Sequence, residues 1–278
     1  MPIPNDVENL ISEFEKRDGD AAFTKIERMK VAKQLRDRIE EPSLISQGQS
    51  SLCGPAVFIY CLAKRKPKLY AQYMIDLYEK GEANIGRLKV RPGDDCKKYD
   101  PIEAYEILEA DWIALAGLRD SENDFLDYDH PNDRLSGITM PSGIAKWFAF
   151  ADFLAIRQNT NIFFDESLYT LLQAHKKYIS GACVCLFVGA NVLQGFPKGR
   201  SPADHWAVLN SPIQIDGKPV NKLVAQGKKV NQDESLLSKK IQFSIYTWAR
   251  DNYPVNRHDP ELTVGKFLDY FYGYVAAQ

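Results

Sequence analysis

Three side chains in this sequence have the types and spacing for covalent chemistry: Gln47, Cys53 and His205. Cys53 follows Gln47-Gly48-Gln49-Ser50-Ser51-Leu52 and precedes Gly54-Pro55-Ala56-Val57-Phe58-Ile59-Tyr60, a segment that reads as a buried helix. Pro55 suits the first helical turn, where a missing N–H loses no intrahelical bond. A cysteine at that helix start meets unpaired N–H groups and the positive end of the dipole. Both favour the thiolate, which is the nucleophilic form. Gln47, six residues upstream, could direct its amide at an oxyanion developing beside the sulfur. The plain alternative is a small buried cysteine that starts a core helix.

A thiolate needs a base, and four histidines are available. His175 stands among Lys176 and Lys177 and is expected to face solvent, while His130 and His258 sit beside Asp or Pro in polar stretches. His205 alone opens an apolar strand, after the Gly-, Pro- and Ser-containing run 195–202. A strand end fixes the backbone and lets the ring reach an open cleft, so His205 is the candidate base.

Helices dominate the first part of the chain. Val7, Leu10, Ile11 and Phe14, then Phe23, Ile26, Met29, Val31 and Leu35, keep helical spacing over residues 5–40, and Pro42 ends the run. These helices either brace the region that follows or occlude it. Residues 68–80 form a further amphipathic helix closed by Gly81, Leu88-Lys89-Val90 a short strand, and Asp100 to Ala116 another helix. The stretch from Asp120 to Pro141 holds Asp124, Asp127, Asp129, His130 and Asp133, but without EF-hand spacing or an H-E-x-x-H helix it reads as a surface loop. Helices return at 141–154 and 167–179. Strands follow at 182–188, 204–209 and 240–248, with a turn at Asp216-Gly217. A short aromatic helix is expected from Leu262 to Ala276. Helices first and strands last predict an α+β fold.

Composition closes off several classes. The 35 basic and 37 acidic residues nearly cancel, which gives no electrostatic case for nucleic acid or an anionic membrane. No apolar run approaches a membrane span, and the N-terminus lacks the basic and apolar regions of a signal peptide. Five widely spaced cysteines, without a C-x-x-C pair, form neither a disulfide framework nor a zinc site. No metal and no cofactor is expected, and a reducing compartment fits.

Gln47, then five residues, then Cys53-Gly54 at the head of a helix, with His205 opening a strand far downstream, resembles the papain-like cysteine peptidases. The resemblance covers about thirty residues around these motifs and implies a helical lobe with the nucleophile and an antiparallel β-sheet with the histidine. Residues 1–42 would be an N-terminal helical segment, 43–278 the peptidase domain, and 65–180 an extended helical insertion within it. The resemblance implies that Cys53 attacks the scissile carbonyl, that His205 takes the thiol proton and returns it to the leaving amine, and that Gln47 with the Cys53 N–H binds the oxyanion. Tyr246-Thr247-Trp248-Ala249 is a poor match to the family's Asn-Ser-Trp-Gly run, so the group that orients His205 stays open. Asn210 on one continuous strand would lie ~17 Å away on the opposite face. A chain reversal near Asn210-Ser211 would bring Asp216 opposite His205, and a dyad without a carboxylate is the third choice.

The same Gln-to-Cys spacing occurs in related peptidases that cut after Gly-Gly. Without a signal peptide, the chain resembles peptidase toxins that bacteria deliver into other cells. That implies a cytoplasmic stage in the producer, a signal-independent exit, a protein substrate in the target cell and an immunity protein that plugs the cleft. Amide hydrolysis in cell walls, deamidation and transglutamination use the same Cys–His chemistry, and an inert binding module would keep the shape alone.

Overall fold

A computed structural model describes residues 2–101, 107–122, 139–161, 163–195, 203–220, 223 and 234–278. The chain is α+β with antiparallel sheets, and it forms two compact units. One comprises Met1–Met140 with Phe150–Asp152, the other Pro141–Ala149 with Phe153–Gln278. No helix among the described residues is long and apolar enough to cross a membrane.

The first unit is mainly helical. Helix α1 (Asn5–Glu15) buries Val7, Ile11 and Phe14, and α2 (Arg28–Glu40) buries Val31, Leu35 and Ile39. That spacing puts each set on one helical face. Helix α3 (Cys53–Arg65) is buried on all sides from Cys53 to Ala63, and α4 (Pro67–Lys80) contributes Tyr70, Tyr73, Met74 and Leu77. Gly81 closes α4 at φ 70°, a left-handed conformation that glycine adopts without strain. Phe14 meets Tyr78 edge-on at 5.5 Å. The N-terminal helices are therefore part of this unit's core and brace it. A two-stranded hairpin follows, β1 (Ala83–Ile85) and β2 (Leu88–Val90). Of the helix expected from Asp100 to Ala116, residues 102–106 lie outside the described residues, Ile107 and Leu108 are not helical, and Glu109–Asp111 leads into a π-helical turn over Trp112–Ala116. The Tyr73 hydroxyl donates to the Ala114 carbonyl within that turn, at 2.8 Å.

The second unit is a six-stranded antiparallel sheet with helices α5 (Pro141–Phe150, whose last residue belongs to the first unit) and α6 (Leu168–Ile179). Its strands are β3 (Arg157–Thr160), β4 (Cys183–Val188), β5 (His205–Leu209), β9 (Ser244–Thr247), β10 (Arg250–Pro254) and β11 (Phe271–Ala277). They are ordered β10-β9-β5-β4-β11-β3. A smaller sheet holds β6 (Gln214–Ile215), β7 (Lys218–Pro219) and β8 (Ile241–Gln242) in the order β7-β6-β8.

Three expectations are corrected here. The segment 240–248 is two strands, because the chain changes sheets at Phe243: Ile241 pairs with Ile215, whereas Tyr246 pairs with Val208. The C-terminal segment is helical only over Val264–Leu268 and then becomes β11, a fully buried strand between β4 and β3. Its aromatic and β-branched residues suit that two-sided burial. At Gly273 (φ 109°) the strand comes so close to Asn159 that a Cβ would collide with the Asn159 carbonyl. His175 does not face solvent. Leu168, Leu171, Leu172 and His175 follow i, i+3, i+4, i+7 on α6, and the ring completes that buried stripe.

Candidate functional site

Cys53 is the first residue of α3 and is 5% exposed. Leu52 precedes it as N-cap and offers no side-chain oxygen to the helix end, so the backbone supplies the positive potential there. A Cβ at Gly54 would overlap Thr139, which makes glycine the residue that lets this helix start close against its neighbour. All five cysteines are buried and none forms a disulfide.

The loop before Cys53 is organised by its own hydrogen bonds. The Gln47 carbonyl accepts from the Ser50 N–H at 3.1 Å and from the Ser50 hydroxyl at 2.5 Å. The Gln47 amide donates one N–H to the Ser50 carbonyl at 2.8 Å. Gly48 turns the chain at φ 55° and donates its N–H to the Ser46 hydroxyl at 3.1 Å. Gln47 thus carries a carboxamide whose plane is set by one bond, with a second N–H still to give.

His205 begins β5 in the second unit and is 4% exposed. Its Nε2 lies 2.7 Å from the Thr247 hydroxyl. Sheet register explains the meeting. Val208 opposes Tyr246 and Leu209 opposes Ile245, so Thr247 falls opposite Ala207, on the same face as His205 and diagonal to it. The Trp248 ring stacks on the imidazole, with centroids 4.8 Å apart and planes at 28°. Burial depresses the His205 pKa to about 4, so the ring is neutral at physiological pH.

The turn that presents Trp248 is strained. Trp248 and Ala249 join β9 to β10 at φ 47° and 55°, left-handed values that two-residue hairpins usually assign to Asn-Gly. Such strain persists where packing over-determines it. Trp248 is held on one face by His205 and edge-on by Tyr253, with the Tyr253 ring at 5.9 Å and 85°. Tyr253 is itself tied by its hydroxyl to the Leu193 carbonyl at 2.9 Å.

Neither carboxylate nor amide expected beside His205 is found there. Asp216 occupies the β6–β7 turn at φ 47°, in the smaller sheet, where its Oδ1 accepts from the Lys240 N–H at 3.0 Å. Lys239 pairs with the same carboxylate at 3.2 Å. The strands flanking β5 are β4 and β9, so the reversal near Asn210 does not bring Asp216 opposite His205. Asn210 donates to Asp251 at 2.5 Å. Thr247 and Trp248 are the partners that sequence reasoning missed; the signal was the Trp itself, inside the poorly matching Tyr-Thr-Trp-Ala run.

Each unit therefore arranges its candidate residues by itself: the first a cysteine after a bonded glutamine loop, the second a neutral imidazole backed by a hydroxyl and an indole. His130 and the loop aspartates 124, 127, 129 and 133 lie outside the described residues, as does the 196–202 run before His205. No group of three or more His, Cys, Asp or Glu side chains able to hold a metal ion occurs among the described residues. Compared with protein-family models, curated proteins and solved structures, the chain matches none of them.

Proposed function

We propose that this chain is a papain-like cysteine peptidase, in which Cys53 is the nucleophile and His205 the base, acting on a protein substrate as a delivered effector. The observation that carries the reading is the His205 ring, fixed by Thr247 on one nitrogen and by Trp248 on one face. Such a ring presents Nδ1 as its only remaining nitrogen. With Nε2–H donated to the Thr247 oxygen, Nδ1 carries a lone pair and can accept the thiol proton.

The reaction requires Cys53 and His205 to act together. Nδ1 takes the Cys53 proton as the sulfur attacks the carbonyl carbon. The oxyanion draws on the second Gln47 N–H and the Cys53 backbone N–H. Nδ1–H then protonates the departing amine, leaving a thioester. Water gives a proton to Nδ1 as its oxygen attacks the thioester carbon; the C–S bond then breaks, the carboxylic acid product leaves, and Nδ1–H returns the proton to the sulfur. A neutral His205 makes this general-base chemistry, with charge separating during attack.

Expression of wild type and Cys53→Ala in a bacterial cytoplasm, with growth and whole-cell protein followed, tests the reading. Growth arrest with discrete new protein fragments, both absent with Cys53→Ala, is the expected result. A Cys53→Ala protein as toxic and as proteolytic as wild type would overturn it. Arrest without fragments would move the reaction to a side-chain amide, and toxicity confined to the periplasm would move it to the cell wall. The effector reading also expects an immunity protein that protects cells and blocks cleavage by direct binding.

A further inference from the structure

Tyr253 stands on β10, and an irregularity in that strand decides which way its side chain points. Arg250 pairs with Thr247 and Tyr253 with Ile245, so β10 advances three residues where β9 advances two. Asn252, at φ 54°, marks the extra residue, as in a β-bulge. In an unbroken ladder Asn252 would oppose Ile245, and the Tyr253 side chain would leave on the other face. With the bulge, Tyr253 shares the face of Ile245, Thr247 and His205.

There Tyr253 is buried, and each part of the side chain has its own contact. The ring meets the Trp248 indole edge-on, with centroids 5.9 Å apart. The Arg257 guanidinium carbon lies 5.3 Å from the ring centroid, so a cation covers the ring as well. The hydroxyl donates to the Leu193 carbonyl at 2.9 Å. Leu193 belongs to the four-residue helix Asn191–Gln194, which lies between β4 and β5. The last carbonyls of so short a helix have no donor within it. A phenylalanine would fill the same space. What the hydroxyl adds is a directed bond between the β9–β10 hairpin and the connection that leads into His205.

We infer that Tyr253 is a positioning residue for His205: anchored on Leu193, it holds Trp248 against the imidazole. Trp248 needs that support, because left-handed φ at both Trp248 and Ala249 favours a turn that opens. Without Tyr253 the turn relaxes, the indole leaves the ring face, and the Thr247 bond on Nε2 remains. An imidazole held at one atom pivots about it, and Nδ1 loses its direction. The inference deepens the proposed function, and rests on the reading of His205 as base for its catalytic consequence only.

The test uses Tyr253→Phe and Tyr253→Leu in the full chain, with the His205 ring protons followed by NMR in histidine-labelled protein. Loss of their signal in His205→Gln assigns it, and Trp248→Leu marks its unstacked position. Under the indole ring current, the wild-type signal is expected upfield of that mark. Tyr253→Leu should move it most of the way to the mark, and Tyr253→Phe part of the way. Tyr73→Phe, which removes another buried tyrosine-to-carbonyl bond, should leave it in place. Fragment production should slow about tenfold with Tyr253→Leu, less than the roughly hundredfold that a misplacement of about 1 Å can cost. With Tyr73→Phe it should stay at the wild-type rate. A His205 signal unchanged in both folded Tyr253 variants would overturn the inference, as would a wild-type signal already at the unstacked mark. A shift with leucine but not with phenylalanine would overturn the anchor on Leu193 and leave the role to the ring. If Tyr253→Leu fails to fold, Tyr253→Phe decides alone. Wild-type protein that yields no fragments would sink the base reading only, and the signal would still decide how the ring is held.

Discussion

The surroundings of Cys53 and of His205, the two candidate residues, are ordered by different means. His205 is held by sheet register: backbone pairing of β5 with β4 and β9 sets where Thr247 and Trp248 fall, and their side chains finish the arrangement. Gln47 and Cys53 stand where a loop enters a helix, and no ladder of backbone bonds reaches there. The first unit relies on side chains instead: Gln47 and Ser50 bond one another across the loop, and Arg38 pairs with Asp111 in its core. A register-built arrangement should tolerate loss of any one side chain; a unit with a buried ion pair in its core should not.

The largest break in that comparison is Arg38→Ala. It strands the Asp111 carboxylate in the core and should cost about 3–5 kcal/mol in urea denaturation. The Arg38→Met/Asp111→Leu pair should recover most of that loss.

Next in size is the acid response around His205. His205 has its pKa lowered by burial from 6.5 to about 4, so the folded protein resists a proton that the unfolded chain accepts. The contribution is therefore complete above the unfolded value. It is lost as pH falls towards the folded one and is constant below it. Across that window wild type should lose about 3 kcal/mol from this group, and His205→Gln should flatten that part of the profile. His175, also buried, with its Nδ1 already accepting the Ile213 N–H at 3.0 Å and its proton affinity lowered by burial, adds to the loss in the same direction.

Thr247→Val keeps the shape and removes the hydroxyl. Stability should fall by about 1 kcal/mol, and fragment production should slow about tenfold without vanishing. Abolition by this variant as complete as that of Cys53→Ala would mean that register alone does not hold the ring. The smallest effect is expected from Ala249→Gly, which relieves one left-handed alanine and should raise stability by about 1 kcal/mol in thermal denaturation.

Much of what surrounds Cys53 was legible in the chain. Small polar residues before Cys53, Pro55 just inside the segment and an apolar run after it are local signals, and α3 begins at that cysteine. The strands at 183–188 and 205–209 were equally plain from their composition. His175 misled because the two lysines after it suggest solvent, although the stripe from Leu168 already pointed inward. The C-terminal strand was hidden for a different reason: Phe271 to Ala277 has no strict alternation, since both of its faces are buried.

By itself the amino-acid order determined the α+β class, most of the helices, the turn at Asp216-Gly217 and the choice of Cys53 and His205 as candidates. Those properties arise from spacing within a few residues, where periodicity, capping and turn chemistry act. Tertiary structure alone decided that Thr247 backs His205, that Asp216 serves a turn in another sheet, and that Arg38 reaches Asp111 across 73 positions of chain. Each of these depends on a strand register or a helix docking, and a one-residue slip would send the same side chain to the opposite face.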